Sequence, residues 1–320
     1  LGIVVGQGLH LDRKKHIFFI IACVFPDFDS ISLIGGFDAW HQFHRGPVHS
    51  FPVILLASLV LMVIYHIIVH PPRRELSILA LFFGGMSSHL ILDLLTPWKI
   101  PVLWPFSGEK ISYNLTFFFD IVFFIVFFIA VLFMLQYRTQ KRARVIMISA
   151  ILLVSINFGV RYYERNTALD TIGEHEGEII PMPTLRLDRW WIFVMTPSDS
   201  GYTYDIYEVD SFSRKILSSK TVESLFTGYK GSCEPPIDSP EKAVAYSRKD
   251  KTVKAYVDGL YLPAVTVSHT DGTWTLFWYD VSTEVIGNLS GGISVMIDED
   301  GTILEVRRVT QINIQNDLIK

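Results

Sequence analysis

Three apolar runs, at 51–69, 76–95 and 115–137, restrict this chain more than any other feature. Each is long enough to cross roughly 30 Å of hydrocarbon as a helix rising about 1.5 Å per residue. A stub at 1–9, a short run at 16–26 and a run at 145–160 accompany them. Half of the 320 residues are hydrophobic and the mean hydropathy is +0.34. A soluble chain of this length rarely reaches that balance, so lipid solvates part of it. The expectation is a domain of six helical segments over residues 1–160, embedded in a membrane.

The basic residues give that domain a direction. Arg13, Lys14, Lys15, Arg73, Arg74, Arg138, Lys141, Arg142 and Arg144 fall in one set of alternate connections, and only Arg45, Lys99 and Lys110 in the other. Lys and Arg collect in cytoplasmic loops. The connections 27–50 and 96–114 are then expected outside the cytoplasmic membrane, together with everything after about residue 161. The net charge of −4 hides a contrast: residues 1–160 hold 12 Lys and Arg against 8 Asp and Glu, and residues 161–320 hold 16 against 24. No basic footprint for nucleic acid is present. Carboxylates are scarce in the first half, so each one there needs a reason.

From about residue 180 the texture changes. Apolar and polar residues alternate in Trp190–Thr196, Tyr202–Val209, Leu262–Ser268, Thr273–Val281, Ile293–Ile297 and Ile303–Val309. Asp271-Gly272 and Asp300-Gly301 separate such runs and predict hairpins. Ser239-Pro240-Glu241 predicts a short helix through about Arg248, with Ser239 as its N-cap. Residues 161–320 are therefore expected to form an extracytoplasmic α+β domain, mainly antiparallel sheet. Cys23 and Cys233 are not expected to pair, and no signal peptide is visible at Leu1, which reads as a truncated start.

Three motifs lie at the outer ends of the apolar runs: Pro26-Asp27-Phe28-Asp29, His44-Arg45-Gly46-Pro47-Val48-His49-Ser50, and Ser88-His89-Leu90-Ile91-Leu92-Asp93. Asp120 adds one charge near the outer end of the Phe-rich run. Taken singly, Asp27 and Asp29 read as turn and cap residues, His44 and His49 as loop histidines, and His89 and Asp93 as a hydrogen-bonded pair four apart on one helix face. Together they hold four of the eight carboxylates in residues 1–160, all on one predicted membrane face. Imidazole nitrogen and carboxylate oxygen are the ligand set of Zn²⁺ or a related divalent ion. His66 and His70 are also four apart but lie at the opposite end of their run, without nearby Asp. His41 is a candidate supporting residue. Nucleotide-binding and serine-hydrolase signatures are absent.

With these phrases in hand, the chain resembles the prokaryotic membrane-bound metal-dependent hydrolases of the kind named after YdjM and YfhP. The matching stretches are residues 26–29, 44–50, 88–107 and the Asp120 segment, with 181–194 and 201–210 similar to that family's extracytoplasmic tail. Val48 stands where Thr is common in the His-Arg-Gly-x-Thr-His-Ser phrase. The resemblance implies a Thr-His pair just before Leu1-Gly2, and so a further ligand upstream of Leu1.

The reading that follows is a hydrolase with one or two divalent ions, most simply Zn²⁺, acting at the outer membrane–water interface on a lipid-borne or small-molecule substrate such as a phosphoester. Asp27, His44, His49, His89 and Asp93 are the expected ligands. Asp29 and Asp120 are expected as a further ligand or general base, and Arg45 as the partner of an anionic substrate. Asp120 is expected to turn toward His89 and Asp93. A non-enzymatic metal-binding membrane protein whose second domain binds a partner is the main alternative. A transporter is disfavoured, because the motifs sit at helix ends and not at interrupted helix centres.

Overall fold

The computed structural model of the chain describes residues 1–35, 44–71, 76–117, 120–137, 139–198, 201–225, 234–286 and 291–309. His41, Arg73, Arg74, Arg138 and Cys233 lie outside the described residues. Two compact units divide the chain. One holds Leu1–Ile34, the described residues from His44 to Thr167, and Met182–Arg189. The other holds Gly35, Ala168–Pro181 and the described residues from Trp190 onward.

The first unit is helical, with α1 at Gly2–Gly8 and α2 at Arg13–Val24. The Asp12 carboxylate caps α2, accepting from the N–H groups of Lys14 and Lys15 at 3.0 Å. At Pro26 the α-helical ladder loses a donor, and the chain winds on as a 3₁₀ helix over Phe25–Gly35. Helix α3 covers Phe51–Val69, with Pro52 in its first turn, where a missing N–H costs little. It stops at His70, which turns left-handed at φ 50°. Helices α4, α5 and α6 are Ser77–Leu94, Ile121–Gln136 and Gln140–Ile172.

Four stretches are long and apolar enough to cross a membrane: Arg13–Ile34, Phe51–Val69, Ser77–Leu94 and Gln140–Ile172. Helix α5 is a shorter apolar helix. Helix α6 runs twelve residues beyond the apolar stretch that ends at 160. Nothing in residues 161–172 breaks a helix, and Gly173, at φ +79°, ends it.

Packing sorts the helices into two groups. Ala22, Ile54, Tyr65, Phe82, Met86 and Leu90 join α2, α3 and α4 in one buried cluster, extended by Ile100 and Val102 of the loop after α4. Val4, Phe127, Met134, Ala150 and Val154 join α1, α5 and α6 in another. Gly85 lets α4 approach α2 closely: a Cβ there would meet Phe19, Ala22 and Cys23 at 3.1–3.3 Å. That approach sets the height of His89, one turn further along.

The second unit carries two four-stranded antiparallel sheets, each ordered as in the sequence. β1 (Glu178–Pro183), β2 (Arg189–Ser198), β3 (Gly201–Asp210) and β4 (Lys215–Ser224) form the first. β5 (Pro263–Thr270), β6 (Thr273–Asp280), β7 (Gly292–Asp298) and β8 (Ile303–Val309) form the second. Asp271 (φ 51°) and Gly272 (φ 72°) make the tight β5–β6 turn. Helices α7 (Pro240–Ser247) and α8 (Lys251–Asp258) cover that second sheet. Its core includes Trp274, Trp278, Ile293 and Val295, and the two indole N–H groups donate to the Ile237 carbonyl and the Ser247 hydroxyl. Strands β1 and β4 and helix α8 have no counterpart among the expected elements.

Candidate metal centre

The site begins with the break in the helix at Pro26. In a 3₁₀ pattern the Cys23 carbonyl would accept from residue 26, which has no N–H. The His89 ring fills the gap, its Nδ1 donating to the Cys23 carbonyl at 3.0 Å. A proton on Nδ1 leaves Nε2 as the ring's lone-pair donor. That nitrogen lies 3.3 Å from Asp27 Oδ1 and 3.3 Å from Asp93 Oδ2.

A tight loop brings in the second pair of histidines. Arg45 sits at φ 56°, a conformation that costs a non-glycine residue strain. Its N–H donates to Asp29 Oδ2 at 2.9 Å, which holds the backbone there. Asp29 Oδ1 accepts from His44 Nδ1 at 2.8 Å. Pro47–His49 then forms one 3₁₀ turn, with Ser50 Oγ donating to the Pro47 carbonyl at 2.7 Å. The turn buries His49 completely. Its Nδ1 is 3.3 Å from Asp29 Oδ2 and its Nε2 3.2 Å from Asp93 Oδ2.

These distances are short, but the alignment is poor. Both nitrogens of His49 and Oδ2 of Asp93 are buried without a hydrogen-bond partner among the described residues. Burial opposes a charge on the His49 ring, yet Asp29 and Asp93 on either side more than offset it and hold its pKa above the usual imidazole range. Ligand atoms of Asp27, His49 and His89 lie within 4.8 Å of one another. The donor set of Asp27, His49 and His89 can hold a divalent ion, with the orphaned Asp93 Oδ2 beside both rings, while His44, also expected as a ligand, gives its Nδ1 to Asp29.

Arg45 is braced inside this network. Its guanidinium reaches Thr96 Oγ1 at 3.1 Å and Asp93 Oδ1 at 3.4 Å, and lies 5.1 Å over the Trp98 ring. Thr96 and Trp98 were not anticipated from sequence. They follow Asp93 by three and five residues, in a loop whose path no periodicity reveals. Backbone bonds fix that loop: Phe51 N–H to Val102 O, Tyr113 N–H to Leu94 O, and Leu115 N–H to Leu95 O.

The structure thus brings Asp27, Asp29, His44, Arg45, His49, His89 and Asp93 into one connected group. Asp120 stands apart from it. It is the N-cap of α5, accepting from Phe123 N–H at 3.0 Å, and its Oδ2 lies 3.3 Å from Asn157 Nδ2 and 3.5 Å from Arg161 Nε. The expected turn of Asp120 toward His89 and Asp93 does not occur, because a closer cation on α6 takes its charge. Asn157 and Arg161, four apart and therefore on one helix face, were the overlooked signal. His66 is some 24 Å along α3 from the His49 turn, by about 1.5 Å per residue, and its Nδ1 donates to the Met62 carbonyl.

No curated protein and no solved structure matches the chain. The family model described as YdjM inner membrane protein matches residues 1–168. That stretch contains the break at Pro26, the His44–His49 loop and the end of α4, and therefore every residue of the buried histidine–carboxylate group. The chain belongs to the YdjM inner membrane protein family.

Proposed function

We propose that this protein is a metal-dependent hydrolase working at the membrane–water interface, on a phosphoester carried by a lipid. The observation that carries the reading is an imbalance of charge. Three carboxylates, of Asp27, Asp29 and Asp93, face one guanidinium, of Arg45, and three imidazoles. Rings that ligate a metal are neutral. Among the described residues this leaves two negative charges for a divalent ion to balance, at the end of membrane-crossing helices where unpaired charge is expensive. Without an ion, protons on the rings take its place. When bound, such an ion polarises a phosphoryl oxygen and makes a water acidic near neutral pH.

The protein's own residues supply the rest. Asp29 orients His44 through Nδ1, faces His49 Nδ1 and pins the loop through Arg45 N–H, so one carboxylate sets two rings. The Cys23 carbonyl fixes the tautomer of His89. Asp27 is 49 % exposed while His49 is wholly buried, so the group is closed on one side and open on the other. An open side suits a substrate, whereas a purely structural ion is enclosed by protein ligands. Arg45 contributes positive potential toward an anionic group while braced by Asp93 and Thr96.

The bias of Lys and Arg supports placing this end of the helices, and the β-rich unit, outside the cytoplasmic membrane. A reporter active only outside the cytoplasm, fused after Lys320, should work, and activity of only a cytoplasmic reporter there would reverse the orientation. The chemistry is tested by metal analysis of the purified protein, followed by a phosphoester-lipid hydrolysis screen with and without chelator. Stoichiometric metal with chelator-sensitive hydrolysis is the expected result. Metal without hydrolysis of any lipid or soluble phosphoester would leave a metal-binding membrane protein.

A further inference from the structure

Helix α3 carries a second feature that starts at the metal centre. Val53, Leu56, Ala57, Val60, Leu61 and Ile64 recur at the spacing of one helix face, and they line an open groove of roughly 260 Å³. Phe25 and Val48 close its upper end. Both adjoin the site in sequence: Phe25 precedes Pro26-Asp27, and Val48 precedes the buried His49. Every residue lining the groove is apolar. Leu56 and Val60 stay 62 % and 52 % exposed, on a helix long and apolar enough to cross a membrane.

From Val53 to Ile64 the groove runs about 16 Å at roughly 1.5 Å per residue, about half of a hydrocarbon core near 30 Å thick. That is the depth of one leaflet. A channel of this depth, apolar throughout and ending beside three histidines and an arginine, matches one molecule shape: an acyl chain with an anionic head. Arg45 and the exposed side of Asp27 lie at the head end, and Ile64 at the tail end.

We propose that this groove seats an acyl chain of the lipid whose phosphoester lies at the metal centre, and that Leu56, Ala57 and Val60 select substrates by chain length. The inference rests on the hydrolytic reading and adds the substrate class to it: an anionic phospholipid entering sideways from a single leaflet. A soluble phosphoester would reach the same ligands without using the groove.

Occupancy is measured independently of turnover. The full chain is reconstituted in nanodiscs of phosphatidylcholine and phosphatidylglycerol, the latter carrying a diazirine in its acyl chain, and irradiated. Labelling is expected to concentrate on Val53, Leu56, Val60 and Ile64 over Leu55, Leu59 and Val63, which are exposed on the same helix off the groove. Val60→Trp fills the groove and should suppress that preference. Leu56→Trp is the second variant, and both side chains are more than half exposed, so the bundle tolerates them. In hydrolysis, Val60→Trp should lower activity on long-chain phosphatidylglycerol about tenfold, the scale of a steric mismatch in an apolar pocket, and leave a dibutyryl analogue untouched. Even labelling around α3, with both chain lengths affected equally, overturns the groove and leaves the hydrolase standing. Groove-specific labelling without hydrolysis of either lipid keeps the groove and removes the hydrolase.

Discussion

Around Asp93, three carboxylates meet one guanidinium and three imidazoles; around Asp120, one carboxylate meets one guanidinium and one amide. Both groups are buried in the same helical unit. Arg161 is fully buried, yet two of its bonds go to the carbonyls of Thr184 and Arg186, at 2.9 and 3.0 Å, and it pairs with Asp120. One cation meets one anion, and a single guanidinium nitrogen, Nη1, donates to both backbone oxygens. At the histidine group three carboxylates face one fixed cation, so the balance falls to ring protons or a bound ion, and both His49 nitrogens lack a hydrogen-bond partner among the described residues. The difference teaches how to tell a buried polar group that completes a fold from one arranged for a ligand. In the first, charge is matched one for one within the chain; in the second, carboxylates outnumber the fixed cations among the described residues and face one another.

The comparison breaks most easily at His49. Its substitution by Ala should remove bound metal and lower phosphoester hydrolysis by more than about 100-fold, beyond the range typical of a residue that only supports a ligand. Metal analysis and turnover are read on monodisperse protein in detergent, with Asp27→Ala on the open side as a second variant. Full metal content in both would take the ion out of this group altogether.

Arg161 should give the reverse pattern. Arg161→Met leaves Asp120 buried without its cation, at a cost of about 3–5 kcal/mol. Thermal unfolding in detergent should shift down strongly, while metal per folded molecule stays at the wild-type value. Folded protein that has lost its metal would tie the two groups together and undo the contrast.

A smaller effect is expected at Asp29, which touches His44, His49 and the Arg45 N–H. Asp29→Asn keeps its shape and removes the charge that sets the two rings. Metal affinity, measured by chelator competition, should fall roughly 10–100-fold, as for other carboxylates behind a metal-binding histidine. An unchanged affinity would mean that the loop backbone alone places His44 and His49.

Much of this was legible in the sequence where a residue's role follows from its own chemistry. Apolar runs must be solvated by lipid, so the helices were legible from 51–69 and 76–95 alone. His and Asp at helix ends announce themselves in a segment poor in charge. The rest depended on tertiary contacts. Strand β1 was hidden by Pro181 and Pro183, which read as strand breakers. Strand β4 was hidden because nearly all of Lys215–Ser224 is exposed and carries no alternation. Helix α8 begins at a good N-cap, with Asp250 accepting from the N–H groups of Thr252 and Val253, but the eight residues after it are too short for periodicity to show. The 3₁₀ course after Pro26, which sets Asp27 and Asp29 on the side of His89 and His49, is written in a single proline.

Asp120 gives the finest test, because its sequence setting is that of a catalytic carboxylate and its structural setting is that of a cap. It lies alone in a Phe-rich run, which argues for function on cost alone. The structure supplies the compensation: a Phe123 N–H, the Asn157 amide and the Arg161 guanidinium. Asn is as good an N-cap as Asp, so Asp120→Asn keeps the bond to Phe123 and removes only the charge facing Arg161. Arg161 retains its two carbonyls, so the loss should be modest, on the order of 1–3 kcal/mol for a charged hydrogen bond weakened in a buried site. Metal content and turnover per folded molecule should remain at wild-type values, while the melting temperature falls less than in Arg161→Met. Turnover lost with metal and fold intact would return Asp120 to the chemistry, and would mean that its pairing with Arg161 exchanges for contact with the substrate.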